Sequence, residues 1–326
     1  MRLERENGLQ AAKIAKNRNE FLRFIPSFLT AAVGGAALAN IDLKNINIWE
    51  HPLPTPDPDS NNFLVIADVH GGNFDSGARQ NNTQSFNTLS SVLKHLKDYP
   101  FDRMVQMGDL IRQQRNENQN IENYEKGIEV IGKVPYPVTH LLGNHDVWGI
   151  SNENAVKISE RHNLGSFYGV EKYKNFQIVW LDITAPLGAT GALPEERVDW
   201  LRNEVIFKDT PTIIFSHYAF LPQDTDGNYY FEGDSGLTAL TNGQKTWESL
   251  KGLPIHAVVS AHMHWGAYSK VGETHMITVP AFVENMISSN SGENPGVYSI
   301  LEVDFPKKFV LKSYFGSICF SRIQIK

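Results

Sequence analysis

Cysteine is almost absent from this 326-residue chain: Cys319 stands alone. A lone thiol closes no intramolecular disulfide, which excludes a disulfide-stapled scaffold and cysteine-rich zinc sites. Also missing is any block of lysines and arginines. With 30 basic against 36 acidic residues the net charge is −6, so the chain has no electrostatic basis for coating nucleic acid, and no bulk nucleic-acid partner is expected. No apolar run reaches the roughly 20 residues of a confident membrane span, and there is no internal repeat or low-complexity block. What is present is ordinary for a globular chain, with 41% hydrophobic and 20% charged residues. That composition and length suffice for a sizeable core without disulfides, and argue against disorder.

The first 39 residues differ from the rest. A basic polar stretch (Lys13, Lys16, Arg18, Arg23) leads into an apolar run over 24–39 that ends Ala37-Leu38-Ala39, a small-x-small pattern suited to signal peptidase. Residues 17–23 resemble a twin-arginine export motif, degenerate because Asn19 stands where the second arginine belongs. We expect 1–39 to be a signal peptide cleaved before Asn40, placing the mature protein in the periplasm or outside the cell with no stable membrane span. The alternative is an uncleaved segment on a membrane-anchored or cytoplasmic protein. Residues 40–61 include four prolines between His51 and Pro58 and read as an extended linker, leaving 62–326 as the folded domain.

Within that domain, short apolar runs at 63–67, 103–107, 137–142, 176–181, 212–216 and 257–260 alternate with helical patterns at 84–97, 121–132, 153–162, 194–206 and 244–251. This is the pattern of an α/β fold. Beyond residue 270 the pieces 275–279, 297–303 and 308–315 are strand-like, without helices.

The chemistry sits at the ends of the runs: Asp68-Val69-His70, Gly108-Asp109, Gly143-Asn144-His145-Asp146, Ser216-His217 and Ala261-His262-Met263-His264. Strand carboxyl ends in α/β sheets face the ligand crevice, so these blocks can converge although far apart in sequence. Gly108 and Gly143 suit sharp turns with close backbone approach. If extended, Asp68 and His70 would point to one side, as would His262 and His264. Oxygen and imidazole donors without thiolate suit Mn, Fe or Zn. The expected cofactor is a pair of divalent or trivalent ions, bridged by Asp109. Such a pair anchors both oxygens of an in-line displacement and acidifies a bound water.

The five ordered blocks resemble those of the calcineurin-like metallophosphoesterases, and within them the cyclic-nucleotide phosphodiesterase-like group. The segment 193–201 also resembles the helix that precedes that family's isolated histidine. The resemblance implies a four-layer sandwich of two mixed β-sheets flanked by helices. It implies that Asp68, His70 and His264 hold one metal, Asn144, His217 and His262 the other, with Asp109 shared. His145 would be a proton donor or phosphate contact, its ring oriented by Asp146. Two positions depart from the family pattern. Ala261 replaces a glycine, and Arg112 stands where an acid, Asn or Tyr is common, either to clamp substrate phosphate or to pair with a neighbouring acid.

The implied activity is hydrolysis of a small phosphate mono- or diester by attack of a metal-bound hydroxide. The alternatives are a non-catalytic metal-binding interaction module, a nuclease-type phosphodiesterase and a single-zinc hydrolase. The other six of the 11 histidines read as surface or core residues, and Trp148, Tyr218 and Trp265 as packing or pocket-lining residues. Asp224–Asn228 reads as a turn rather than a calcium loop. The polar stretches 71–83, 112–120 and 220–240 are the expected pocket rim.

Overall fold

The computed structural model describes residues 53–74, 80–164, 166–181, 191–206, 210–284, 296–315 and 318–325. The expected signal peptide and residues 40–52 of the expected linker lie outside them. The rest of that linker does not stand free. Leu53 packs against the core, and Lys308 Nζ donates to Asp57 Oδ2 at 2.9 Å.

Two six-stranded sheets form the centre. The first contains β1 (Asn61–Ile66), β2 (Arg103–Gln106), β3 (Val138–His140), β10 (Val297–Asp304), β11 (Lys308–Phe315) and β12 (Ile318–Ile325), in the order β12-β11-β10-β1-β2-β3. The second contains β4 (Gly169–Lys172), β5 (Gln177–Leu181), β6 (Thr212–Ser216), β7 (Ile255–Ser260), β8 (Ala267–Val271) and β9 (Thr274–Thr278), in the order β4-β5-β6-β7-β9-β8. Both sheets are mixed. β1, β2 and β3 run parallel, as do β5, β6, β7 and β9, while β10, β11 and β12 form an antiparallel flank.

The period-two geometry of strands divides the core into three bodies. Phe63, Val65 and Ala67 of the first run face Ile213, Phe215, Ala257 and Val259 between the sheets. Leu64 and Ile66 turn the other way, toward α1 (Ser85–His95), α2 (Glu117–Ile131) and α4 (Asn152–Arg161). Val179, Ile214 and Val258 turn outward from the second sheet, toward α5 (Glu195–Trp200) and α6 (Gly243–Leu250). The result is the expected sandwich: helices, sheet, sheet, helices.

Local structure departs from expectation at identifiable points. α2 starts at Glu117 rather than 121 because the Asn116 side chain accepts from Gln119 N and caps the helix earlier. The pattern over 194–206 divides into α5 and a π-helical turn, Leu201–Val205, with Leu201 and Val205 both buried. A short helix, α3 (Asn144–Gly149), follows Gly143 directly. It is too short for a helical period to show. The strands β4 and β8 carry few buried residues, which removed the apolar signal that marks a central strand.

Candidate metal centre

Five of the candidate ligands adopt left-handed backbone conformations: Asp68 (φ 50°), His70 (47°), Asp109 (51°), His262 (69°) and His264 (65°). Among the described residues only Asn163 joins them as a non-glycine with positive φ. The Asp68/His70 and His262/His264 pairs therefore do not converge by strand alternation, as extended chains would. They converge because each chain turns sharply just beyond β1 or β7. Such conformations cost about 1–3 kcal/mol each and persist where the surroundings over-determine them. The glycines behave as expected. Gly108 has φ +94°, and a Cβ on Gly143 would lie 2.2 Å from Asp109 Oδ1. The Ala261 methyl is accommodated within the core between the sheets.

These turns bring all seven candidate ligands into one buried cluster. Asp68, His70 and His264 offer donor atoms within 4.8 Å of one another, and so do Asp109, His217 and His262. Asn144 Oδ1 lies 3.3 Å from His217 Nε2. Asp109 lies between the two groups, with Oδ2 3.6 Å from His70 Nε2 and 3.5 Å from His217 Nε2. Its Oδ1 accepts from His145 N at 2.8 Å.

The donor set fits metal ions. Asp68 Oδ1 and Asp109 Oδ2 are buried and accept no hydrogen bond among the described residues, a costly state for carboxylate oxygens unless a cation faces them. The Nε2 atoms of His70 and His264 face each other at 3.0 Å. His217 Nδ1 lies 2.8 Å from Met107 O and His262 Nε2 3.1 Å from Leu237 O. The His217 and His262 rings thus donate away from the cluster and keep their other nitrogens free to ligate. Burial pushes Asp68 up to about 6 and Asp109 well above the carboxylate range. It drives His217 down to about 3, and His70 and His262 well below the usual imidazole value. Both directions express the cost of charge in a dry cavity, which a cation offsets for the carboxylates.

Around the ligands the expectations hold unevenly. Arg112 pairs with no acid among the described residues; its Nη1 lies 2.9 Å from His145 Nε2. Asp146 does not orient the His145 ring. Its Oδ1 accepts from Ile111 N at 3.1 Å and its Oδ2 from Gly143 N at 3.0 Å. That position at the start of α3 makes it a clamp on the two loops that carry Asp109 and Asn144. Gln113 Oε1 takes the expected place of Asp146, against His145 Nδ1. Tyr218 is fully buried against His262, whereas Trp148 is 40% exposed, with its ring edge-on to His145. Among the other histidines His140 is a core residue, bonded to Tyr124 and Gln106. Asp224 Oδ1 accepts from Asp226 N, the expected turn.

Three neighbours of the centre carried no readable signal. Glu284, Tyr230 and Gln80 meet beside His264, and none belongs to a motif. A trough of about 580 Å³ lined by Phe74, Gln113, Gln114, Arg115, Asn116 and Gln119 opens beside Gln113. It draws on two of the three expected rim segments.

Several solved structures share this architecture. A dimetal phosphatase from Danio rerio aligns with TM-score 0.64 and 16% identity over 82% of this chain and 98% of its own. A purple acid phosphatase from yellow lupin aligns with TM-score 0.53 and 16% identity over 83% of this chain and 55% of its own. GAP50, an anchor in the inner membrane complex of Plasmodium, aligns with TM-score 0.50 and 11% identity over 82% of this chain and 89% of its own. At these identities the likeness shows the fold alone. No curated protein matches the sequence. The family model described as calcineurin-like phosphoesterase matches residues 62–266, which span all five blocks from Asp68 to His264. The chain therefore belongs to the calcineurin-like phosphoesterases and is a metal-dependent phosphoric ester hydrolase.

Proposed function

We propose that this protein is an exported phosphoesterase that uses two metal ions to hydrolyse a small phosphate mono- or diester. The observation that carries the reading is the position of Asp109, whose unpartnered Oδ2 lies 3.6 Å from His70 on one side and 3.5 Å from His217 on the other. Asp68, His70 and His264 would hold one ion, and Asn144, His217 and His262 the other. When bound, such ions anchor phosphoryl oxygens and lower the pKa of a coordinated water.

The chain's own groups supply the rest. Arg112 presents a fixed guanidinium beside the cluster and donates to a phosphoryl oxygen, a charge-assisted contact. His145, held by Gln113 and by its backbone bond to Asp109, offers a ring nitrogen at the leaving oxygen. The trough beyond Gln113 receives the alcohol portion of the ester: Phe74 gives it an apolar wall, and four amide side chains offer hydrogen bonds. A net charge of −6 and no basic groove among the sequence features favour a small molecule over a polymer. The family model and the two phosphatase structures do not single out the cyclic-nucleotide phosphodiesterase-like group within the family.

The decisive variant is Asp109→Asn. It is expected to lose bound metal and to cut hydrolysis of an aryl phosphate ester by at least about a hundredfold. Full activity with full metal content would overturn the mechanism. The Plasmodium protein of this fold is described as an anchor. A purely binding role predicts a metal-loaded protein inert toward every mono- and diester in a screen with Mn, Fe and Zn. Export predicts a mature terminus at Asn40, and an intact Met1 form retained in the cytoplasm would refute it. Among the described residues no helix is long and apolar enough to cross a membrane.

A further inference from the structure

His264 differs from the other candidate ligands in what stands behind it. The outward nitrogens of His217 and His262 each meet a backbone carbonyl. His264 Nδ1 instead lies 3.5 Å from Oε2 of Glu284, a carboxylate buried to 0% exposure. A buried carboxylate is stable only when donors surround it, and two converge here. Tyr230 O–H donates to Glu284 Oε2 at 2.9 Å, and the His264 ring faces the same oxygen. Gln80 Nε2 donates to Tyr230 Oη at 3.0 Å and also lies 3.4 Å from His264 Nδ1. Residues 80 and 284 are themselves joined by an antiparallel bridge, and the Tyr230 ring stands edge-on to His264 at 4.9 Å.

One proton assignment gives the buried carboxylate two donors. The Gln80 amide donates to the tyrosine oxygen, the tyrosine hydroxyl donates to the carboxylate, and a proton on His264 Nδ1 faces the same carboxylate 3.5 Å away, which leaves the 3.4 Å approach of Gln80 Nε2 to that nitrogen without a hydrogen bond. The lone pair then stays on Nε2, the atom 3.0 Å from His70 Nε2 and 3.9 Å from Asp68 Oδ1. The opposite tautomer would aim an N–H into the cluster and a lone pair at the carboxylate.

We propose that Glu284 is a positioning residue for metal binding. It fixes the tautomer and orientation of His264, and is itself steadied by Tyr230. The inference rests on reading Asp68, His70 and His264 as ligands of one ion. It also ties the 220–240 rim segment to the metal centre, since Tyr230 is 40% exposed on that segment while its hydroxyl reaches the buried carboxylate.

The test is metal affinity, measured on the full chain by competition with a chromophoric chelator for Mn and Zn, alongside melting of the metal-free protein. In Glu284→Gln one metal equivalent is expected to bind about 10–100-fold more weakly. In Tyr230→Phe the same equivalent should weaken severalfold, while the metal-free melting temperature stays near wild type. Unchanged affinity in both variants, or lower metal-free stability with unchanged affinity, overturns the proposal. If Glu284→Gln fails to fold, Tyr230→Phe decides, and unchanged affinity there overturns it. A wild-type protein that binds no metal defeats the underlying ligand reading instead, so the two failures are distinguishable.

Discussion

Arg112 and Asp146 both stand close to the catalytic chemistry, yet their side chains meet different partners. Among the described residues the guanidinium hydrogen-bonds to the His145 imidazole and pairs with no acid, so substrate phosphate is its natural anion. Arg112→Ala is therefore expected to lower kcat/KM by about 10–100-fold, equivalent to losing about 1.5–3 kcal/mol of a charged hydrogen bond. Metal content should stay at the wild-type level, and a mutant with unaltered kcat/KM toward several esters would show that the arginine only supports the loop. Asp146 points inward and spends both oxygens on backbone N–H groups of Ile111 and Gly143. Its identity as an acid was legible, but its role was not. A carboxylate one residue after a histidine reads as its orienter, while the cap geometry that claims it depends on where α3 begins.

At the scale of elements, the antiparallel flank carries its own electrostatic device. Glu302 on β10 sits opposite Val310 on β11, so Lys308 and Lys312 are its diagonal neighbours on the same face. Their ammonium groups lie 2.7 and 2.6 Å from its two oxygens. Burial pushes the Glu302 carboxyl up, but the hydrogen bonds from the two lysines outweigh it and hold the group below its ordinary value of 4.5. A depressed acid stabilises the fold fully above its unfolded value, and that contribution disappears as pH falls through the folded value. Urea unfolding is thus expected to show stability falling below pH about 4.5, with the Glu302-dependent part absent in Glu302→Gln. An identical pH profile for the variant would refute the assignment. Strands such as β10 and β11 were legible because both carry long apolar sets. β4 and β8 were not, since edge strands need little burial.

The whole molecule is organised around one meeting of loops. Ligands on turns after β1, β2, β3, β6 and β7 approach one point because the parallel strands of both sheets deliver their carboxyl ends there. Left-handed backbone and buried unpaired oxygens make the cluster costly without cations, so metal binding and folding stability are linked. Chelation is expected to lower the melting temperature, with Mn or Zn at about a hundred times its Kd contributing about 2.7 kcal/mol. For a domain of this size that is a shift of about 5–10 °C. Coincident melting of chelated and metal-saturated protein would remove the metal from the folding account.

Sequence alone determined the donor types, their order and their association with strand ends, because a ligand's chemistry is a property of its side chain. It also determined the alternation of runs and helices that implies a layered α/β fold. Only the tertiary structure decided that left-handed turns rather than extended pairs aim the ligands, and that Gln113 rather than Asp146 contacts the His145 ring. It alone brought Glu284 and Tyr230 behind His264. These are relations between segments up to two hundred residues apart, such as the 194 positions between His70 and His264. Local propensity does not encode them; they follow from the packing of two sheets into one core.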